Sequence, residues 1–156
     1  MNQPAVEAFG NKIRLRVCGL CFQHDKVLLV NHQGLYNRDF WAPPGGGVEF
    51  GESLESALKR EFLEECGVVV EMAKFLFICQ FIREPLHAVE LFYEVKIKGT
   101  PTTGSDPELP HKIIHEVRFL EFNEVSALEP NSIHGIFHRV ASPSDLINLT
   151  GIFSLT

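Results

Sequence analysis

Pro43-Pro44 runs directly into Gly45-Gly46-Gly47, and six residues later Ser53 opens a stretch that reads as helix up to Cys66. The prolines fix φ and remove backbone donors, so neither a regular ladder nor a helix continues through them. The chain must turn sharply after the short apolar approach of Trp41 and Ala42. Glycines tolerate positive φ and let backbone N–H groups come close to an anion such as a diphosphate. Ser53 is a good N-cap, and Gly67 fits the position just past a helix end. Strand, glycine-rich loop and capped helix therefore form one unit.

Within that helix Glu61, Glu64 and Glu65 are spaced so that they share roughly one third of the circumference. Three carboxylates on one stripe repel each other. A hard divalent cation among them would remove the repulsion, since Mg²⁺ and Mn²⁺ take oxygen ligands and leave positions for water and substrate phosphates. Leu54, Ala57 and Leu58 lie earlier on the same face, so it begins apolar and ends acidic. Such a face can dock on a sheet at one end and open into a cleft at the other. Arg60, four residues before Glu64, can pair with it and fix its orientation.

The whole spacing is filled by Gly46, Glu52, Arg60, Glu61, Phe62, Glu64, Glu65, Gly67 and Val68. It resembles a complete Nudix box. Phe62 takes a position that is more often aliphatic, and Pro43 stands where the family often has Leu; neither touches an acidic position. The resemblance covers about residues 13–128 and implies an α/β fold, an α/β/α sandwich with a mixed β-sheet. It also implies hydrolysis of a nucleoside diphosphate linked to another moiety, with Mg²⁺ or Mn²⁺, by water attack on phosphorus. By the same resemblance Glu64 and Glu65 are the main metal ligands, and Glu61 is either a ligand or the group that takes the proton. The backbone carbonyl of Gly46 is a further ligand. Arg60 belongs to the catalytic set through orientation, and Glu52 braces the loop. A further acid in many relatives precedes a late strand; Glu116 occupies that place, with Glu108 in reserve.

The 156 residues, 45% hydrophobic and 22% charged, suit a single domain with its own core, here a body of about 13–128 and a helical tail of 129–156. The formal net charge of −6 argues against general nucleic-acid binding and makes bound cations an electrostatic need for a polyanionic substrate. No apolar run approaches the ~20 residues of a membrane span, and no basic-then-apolar leader opens the chain, so a soluble cytoplasmic protein is expected. Cys18 and Cys21 form a CxxC in a predicted strand, where they point to opposite faces; with no second pair to join, they are not read as a zinc site. His134 and His138, four apart, have no third ligand placed near them and read as surface or core histidines.

Elsewhere 13–22 and 26–31 read as a hairpin, 73–82 and 88–98 as antiparallel partners about a proline turn, and 117–122 as a late strand. The segment 99–112, with three prolines and two glycines, is a loop long enough to be functional or mobile. Asn123 caps a short helix to Leu128, and Ser132 to Ala141 reads as a helix ending before Ser-Pro.

Arg16, His32, Arg38 and Arg83 are the candidates for substrate phosphates, and Tyr36, Phe40 and Phe81 for stacking on a base. Pro85 is similar to a downstream proline associated with ADP-ribose hydrolysis, and a hairpin turn explains it equally. Three functions stay open: hydrolysis of a nucleoside triphosphate or a sugar nucleotide such as ADP-ribose, nucleotide sensing without turnover, and RNA 5′-end pyrophosphohydrolysis. The unbroken acidic set disfavours the second, and the acidic balance with no basic tract disfavours the third. The apolar content of the tail allows a homodimer.

Overall fold

The computed structural model describes residues 3–33, 38–105 and 113–156. Among these described residues four helices and eight strands follow in the order α1 (Gln3–Phe9), β1 (Ile13–Gln23), β2 (Lys26–His32), β3 (Trp41–Ala42), β4 (Gly45–Gly47), α2 (Leu54–Cys66), β5 (Val69–Arg83), β6 (Leu86–Lys98), β7 (Ile114–Glu121), α3 (Phe122–Ala127), α4 (Pro143–Asn148) and β8 (Ile152–Leu155), with 3₁₀ turns at Pro130–Ser132 and Gly135–Arg139. The sheet is mixed, running β3-β2-β1-β6-β5-β8, with β4 on β1 and β7 on β2. β1 lies parallel to β6 from Ile13 opposite His87 to Cys21 opposite Val95, while β5 and β6 are antiparallel partners.

The predicted β1–β2 hairpin forms, but only Phe22–Val27 and Gln23–Lys26 pair. Beyond them the strands part, and β1 takes β4 while β2 takes β7. Alternation along the strands then fills two cores. Val17, Leu28, Val30, Val70 and Val95 pack with Ala57, Leu58, Phe62 and Cys66 of α2. On the other face Cys18, Leu20, Val27, Leu29, Phe77 and Phe92 pack with Val125, Ile136, Phe137 and Leu146. Phe62 is fully buried, and burying one such side chain is worth about 2–3 kcal/mol. Layers of helix on each side of the sheet are the sandwich expected from the sequence. Among the described residues no helix is long and apolar enough to cross a membrane.

Several local expectations change. Gly45–Gly47 is a short strand rather than only a turn, because chain without side chains can lie directly against Arg16–Cys18. Val69 to Arg83 is one long strand, carried past its polar positions by irregularities after Met72 and Phe75. The helix read from Ser132 to Ala141 is broken into 3₁₀ turns, and Ser142-Pro143 starts a helix, with the Ser142 hydroxyl accepting from the Asp145 N–H at 3.1 Å. The tail ends in β8, parallel to β5, so it is not wholly helical. α3 begins after Glu121 rather than Asn123, and the Glu124 carboxylate accepts the Glu121 N–H at 2.8 Å.

Candidate active site

α2 carries the acidic face to its place. The Ser53 hydroxyl accepts from the Ser56 N–H at 3.1 Å, and Gly67, in the left-handed region at φ 65°, ends the helix as the sequence predicts. The last turn is held from outside as well. Backbone N–H groups of Thr102, Gly104 and Ser105 donate to the carbonyls of Cys66, Glu65 and Glu64 at 2.8, 2.8 and 2.9 Å. The described part of the 99–112 loop thus satisfies carbonyls that a helix end leaves without partners, and fixes the turn bearing Glu64 and Glu65.

Arg60 organises the acids around it. Its Nε and Nη2 donate to the two oxygens of Glu52, each at 3.0 Å, and Nη2 also donates to the Gly47 carbonyl at 2.9 Å. Nη1 reaches Glu61 at 2.8 Å and Glu64 at 3.4 Å. Glu52 above all raises the Arg60 guanidinium beyond its ordinary range, and Arg60 in turn holds the Glu52 carboxyl low. The arginine therefore ties the loop to the helix, with Glu52 as its main partner and Glu64 as a lesser one.

The glycine strand then receives two carboxylates. Gly45 has φ 147°, and a Cβ on it would stand 2.2 Å from the Val17 carbonyl oxygen; a Cβ on Gly46 would stand 2.2 Å from Glu61 Oε1. The Gly45 N–H donates to Glu65 Oε2 at 2.9 Å, and His32 Nε2 lies 3.4 Å from Glu65 Oε1. Glu61 and Glu65 are 6% and 3% exposed. Burial first, and then the neighbouring Glu65 carboxylate, push Glu61 up to about 7 against the pull of Arg60 and Arg16.

Both acids line one end of a cleft of about 570 Å³ that also carries Arg14, Arg16, Arg38, Arg83 and Arg139. On its floor Glu90 faces Arg16 Nε at 3.1 Å and His134 Nε2 at 2.8 Å. The Ile136 N–H points at His134 Nδ1 at 3.3 Å, which leaves the proton on Nε2 to be donated to Glu90. Burial would raise the Glu90 carboxyl; His134 and Arg16 outweigh it and bring it down to about 2. Arg16 Nη2 also donates to the Gly45 carbonyl at 3.1 Å, so this buried group is tied to the glycine strand.

Of the residues expected from sequence, Gly46, Glu61, Glu65, His32, Arg38, Arg83, Phe40 and Phe81 meet in the cleft lining. Arg38 Nε donates to the Asn131 carbonyl at 3.1 Å and Arg83 is exposed. Arg16 lines the cleft too, but bound to Glu90 and Gly45 it is a bridge in the floor. Glu64 stands beside Arg60, outside the lining. Glu116 lies within β7, opposite Asn31 and paired with Arg118 at 3.0 Å, and is not brought to the cleft. Tyr36 and Glu108 fall outside the described residues. Sequence reasoning missed Glu90 and its link to His134; the signal was an acid flanked by Ala88-Val89 and Leu91-Phe92 in β6.

The NUDIX domain model matches residues 12–139. The chain belongs to the Nudix family. An 8-oxo-dGTP diphosphatase of Buchnera aphidicola is 32% identical over 108 residues, 65% of this chain and 86% of that protein. An ADP-ribose pyrophosphatase of Methanocaldococcus jannaschii is 26% identical over 114 residues, 72% of this chain and 64% of its own length. In fold, a NUDIX hydrolase from Nitrosomonas europaea superimposes with a TM-score of 0.67 at 19% identity, over 82% of this chain and 85% of that one.

Nudix hydrolases generally use divalent metal ions, and the donors present can be tested against one. Among the described residues no three His, Cys, Asp or Glu side chains converge as a closed metal cage. Mg²⁺ does not need one: it keeps several waters and is commonly held by one or two carboxylates together with substrate phosphates. Glu61 and Glu65 are two buried, neighbouring oxygen donors beside a backbone that has no side chain to block approach. That donor set fits a hard cation.

Proposed function

We propose that this Nudix chain hydrolyses, with Mg²⁺ or Mn²⁺, the diphosphate bond of a nucleoside diphosphate linked to another moiety, either a nucleoside triphosphate or a sugar nucleotide such as ADP-ribose. The observation that carries the reading is one cleft with the Glu61–Glu65 pair at one end and arginines along its remaining walls. Its volume suits a small nucleotide.

Glu61 and Glu65, with the Gly46 carbonyl, would hold the cation, with Glu64 beside them on Arg60. When bound, the cation polarises phosphoryl oxygens, acidifies the attacking water and stabilises the leaving phosphate. Arg60 keeps Glu61 oriented through its 2.8 Å contact. Glu61, raised by burial and by Glu65, is suited to take a proton near neutral pH when it does not serve as a ligand. Water attacks one phosphorus, the bond to the bridging oxygen breaks, and two phosphate products form. Phe40 and Phe81 supply aromatic surface for the base. The names of the bacterial and archaeal relatives support both substrate types without choosing between them.

Hydrolysis of 8-oxo-dGTP, the common nucleoside triphosphates and ADP-ribose, measured with Mg²⁺, with Mn²⁺ and with chelator, tests the reading. Turnover that needs the cation and ranks the compounds is expected. Absence of turnover for all of them, with any cation, would overturn it.

A further inference from the structure

Gly45 meets Glu65 with a backbone group that the sheet ladder leaves over. Opposite residues of an antiparallel pair alternate between exchanging two hydrogen bonds and exchanging none. The Gly19 N–H donates to the Pro44 carbonyl at 2.9 Å, and the Val48 N–H to the Leu15 carbonyl at 3.0 Å. With Cys18 opposite Gly45 and Arg16 opposite Gly47, both glycines sit at positions that exchange none. Their N–H and C=O groups therefore turn away from β1, towards an edge that no other strand covers among the described residues.

Side chains take that edge instead. The Gly45 N–H donates to Glu65 at 2.9 Å, the Gly45 carbonyl accepts from Arg16 Nη2 at 3.1 Å, and the Gly47 carbonyl accepts from Arg60 Nη2 at 2.9 Å. Arg60 is anchored on Glu52. Arg16 is anchored on Glu90, which stands opposite it in the β1–β6 register with its Oε1 3.1 Å from Arg16 Nε. Glu90 is backed in turn by His134 at 2.8 Å. A line of polar contacts thus runs from His134 through Glu90, Arg16 and Gly45 to Glu65. Its last link, at 2.9 Å, is shorter than the 3.4 Å contact of His32 Nε2 with the other Glu65 oxygen.

We propose that Arg16 is a positioning residue for the cation site: it fixes the Gly45 peptide between Glu90 and Glu65, and so sets where the Glu65 carboxylate points. The inference rests on the reading of Glu65 as a cation ligand. A side chain that orients a metal ligand from behind commonly carries about ten- to a hundredfold in affinity. Arg16 also carries charge, so a test of its geometry must hold the sum of charges constant.

The test is titration calorimetry of Mn²⁺ into substrate-free parent and Arg16→Gln/Glu90→Gln proteins, with steady-state hydrolysis of 8-oxo-dGTP and ADP-ribose beside it. The double variant removes both charges together, so net charge is unchanged and neither partner is left alone; the amide at position 90 can still accept from His134. It should bind Mn²⁺ about tenfold more weakly than the parent and lose about as much in kcat, with KM within about threefold. If circular dichroism finds that variant unfolded, Arg16→Lys decides. It keeps the charge beside Glu90 but replaces the guanidinium fork by one point donor, and its Mn²⁺ affinity should fall about threefold or more. Mn²⁺ affinity equal to the parent's in the deciding variant would overturn the inference, as would a raised KM at unchanged kcat, which would make Arg16 a substrate contact. Absence of Mn²⁺ binding to the parent would overturn it too. A parent that binds Mn²⁺ yet hydrolyses neither compound would count against the proposed activity, while the affinities still decide the role of Arg16.

Discussion

Two buried carboxylates on the same cleft are treated in opposite ways. Glu90 is met by Arg16 and His134 and held at about 2, whereas Glu61 is buried against a second carboxylate and rises to about 7. Burial opposes charge in both places, so the difference lies in the neighbours. A group whose charge is matched inside the protein is a structural brace. Glu61 keeps one contact with Arg60 at 2.8 Å, yet burial and the neighbouring Glu65 outweigh it; under the proposed function a divalent cation would relieve that crowding.

The comparison breaks most sharply on activity. Glu65→Gln or Glu61→Gln should lower cation-dependent hydrolysis by about a thousandfold or more, roughly 4 kcal/mol of transition-state stabilisation. Circular dichroism should meanwhile remain that of the folded chain. Undiminished turnover by either folded variant would remove it from the catalytic set. At the other site the expected loss is in stability. Glu90→Gln leaves the part-buried Arg16 and the buried His134 without their nearest countercharge and should cost about 3 kcal/mol in denaturant unfolding. A cost below about 1 kcal/mol would mean that the group is no brace.

Acid gives the same contrast a sign. Glu90 lies at about 2 in the folded chain against an ordinary 4.5. The unfolded chain therefore binds the proton first, and the stability from Glu90 is present above pH 4.5 and lost as pH falls from 4.5 through 2. The whole contribution is about 3 kcal/mol. Unfolding free energies of the parent and Glu90→Gln chains should converge over that window; parallel curves would contradict the assignment. A smaller effect, of opposite direction to Glu90→Gln, is expected from Glu61→Gln in chelator at neutral pH. Removing a charge that is buried beside another of like sign should raise stability by about 1 kcal/mol. Thermal unfolding at a lower temperature than the parent would contradict this.

The part of the site that lies within one stretch of chain was legible in sequence. Ser53, Gly67 and the spacing of Glu61, Glu64 and Glu65 define a helix and its acidic face from local rules alone. The sandwich could be read because strand alternation and the box agree. Glu90 and His134 were not legible as a pair, since 44 residues separate them and only the parallel β1–β6 register brings Arg16 between them and Gly45. Glu116 was misplaced for a related reason: a strand beginning at Ile114 puts it inside the ladder, paired with Arg118, where sequence suggested a preceding loop. The net charge misled about the cleft as well. A total of −6 hides the five arginines that line one cavity, because net charge is a sum over the surface and says nothing of its distribution.

The central claim is that the buried Glu61–Glu65 pair is a cation site, and titration calorimetry of Mn²⁺ into substrate-free protein tests it most directly. The unaltered chain should bind Mn²⁺ with a measurable heat at neutral pH. Glu65→Gln should lose most of that affinity, while the Glu116→Gln control, at a half-buried residue outside the cleft, keeps it. Equal Mn²⁺ affinity in the parent and Glu65→Gln proteins would contradict the account.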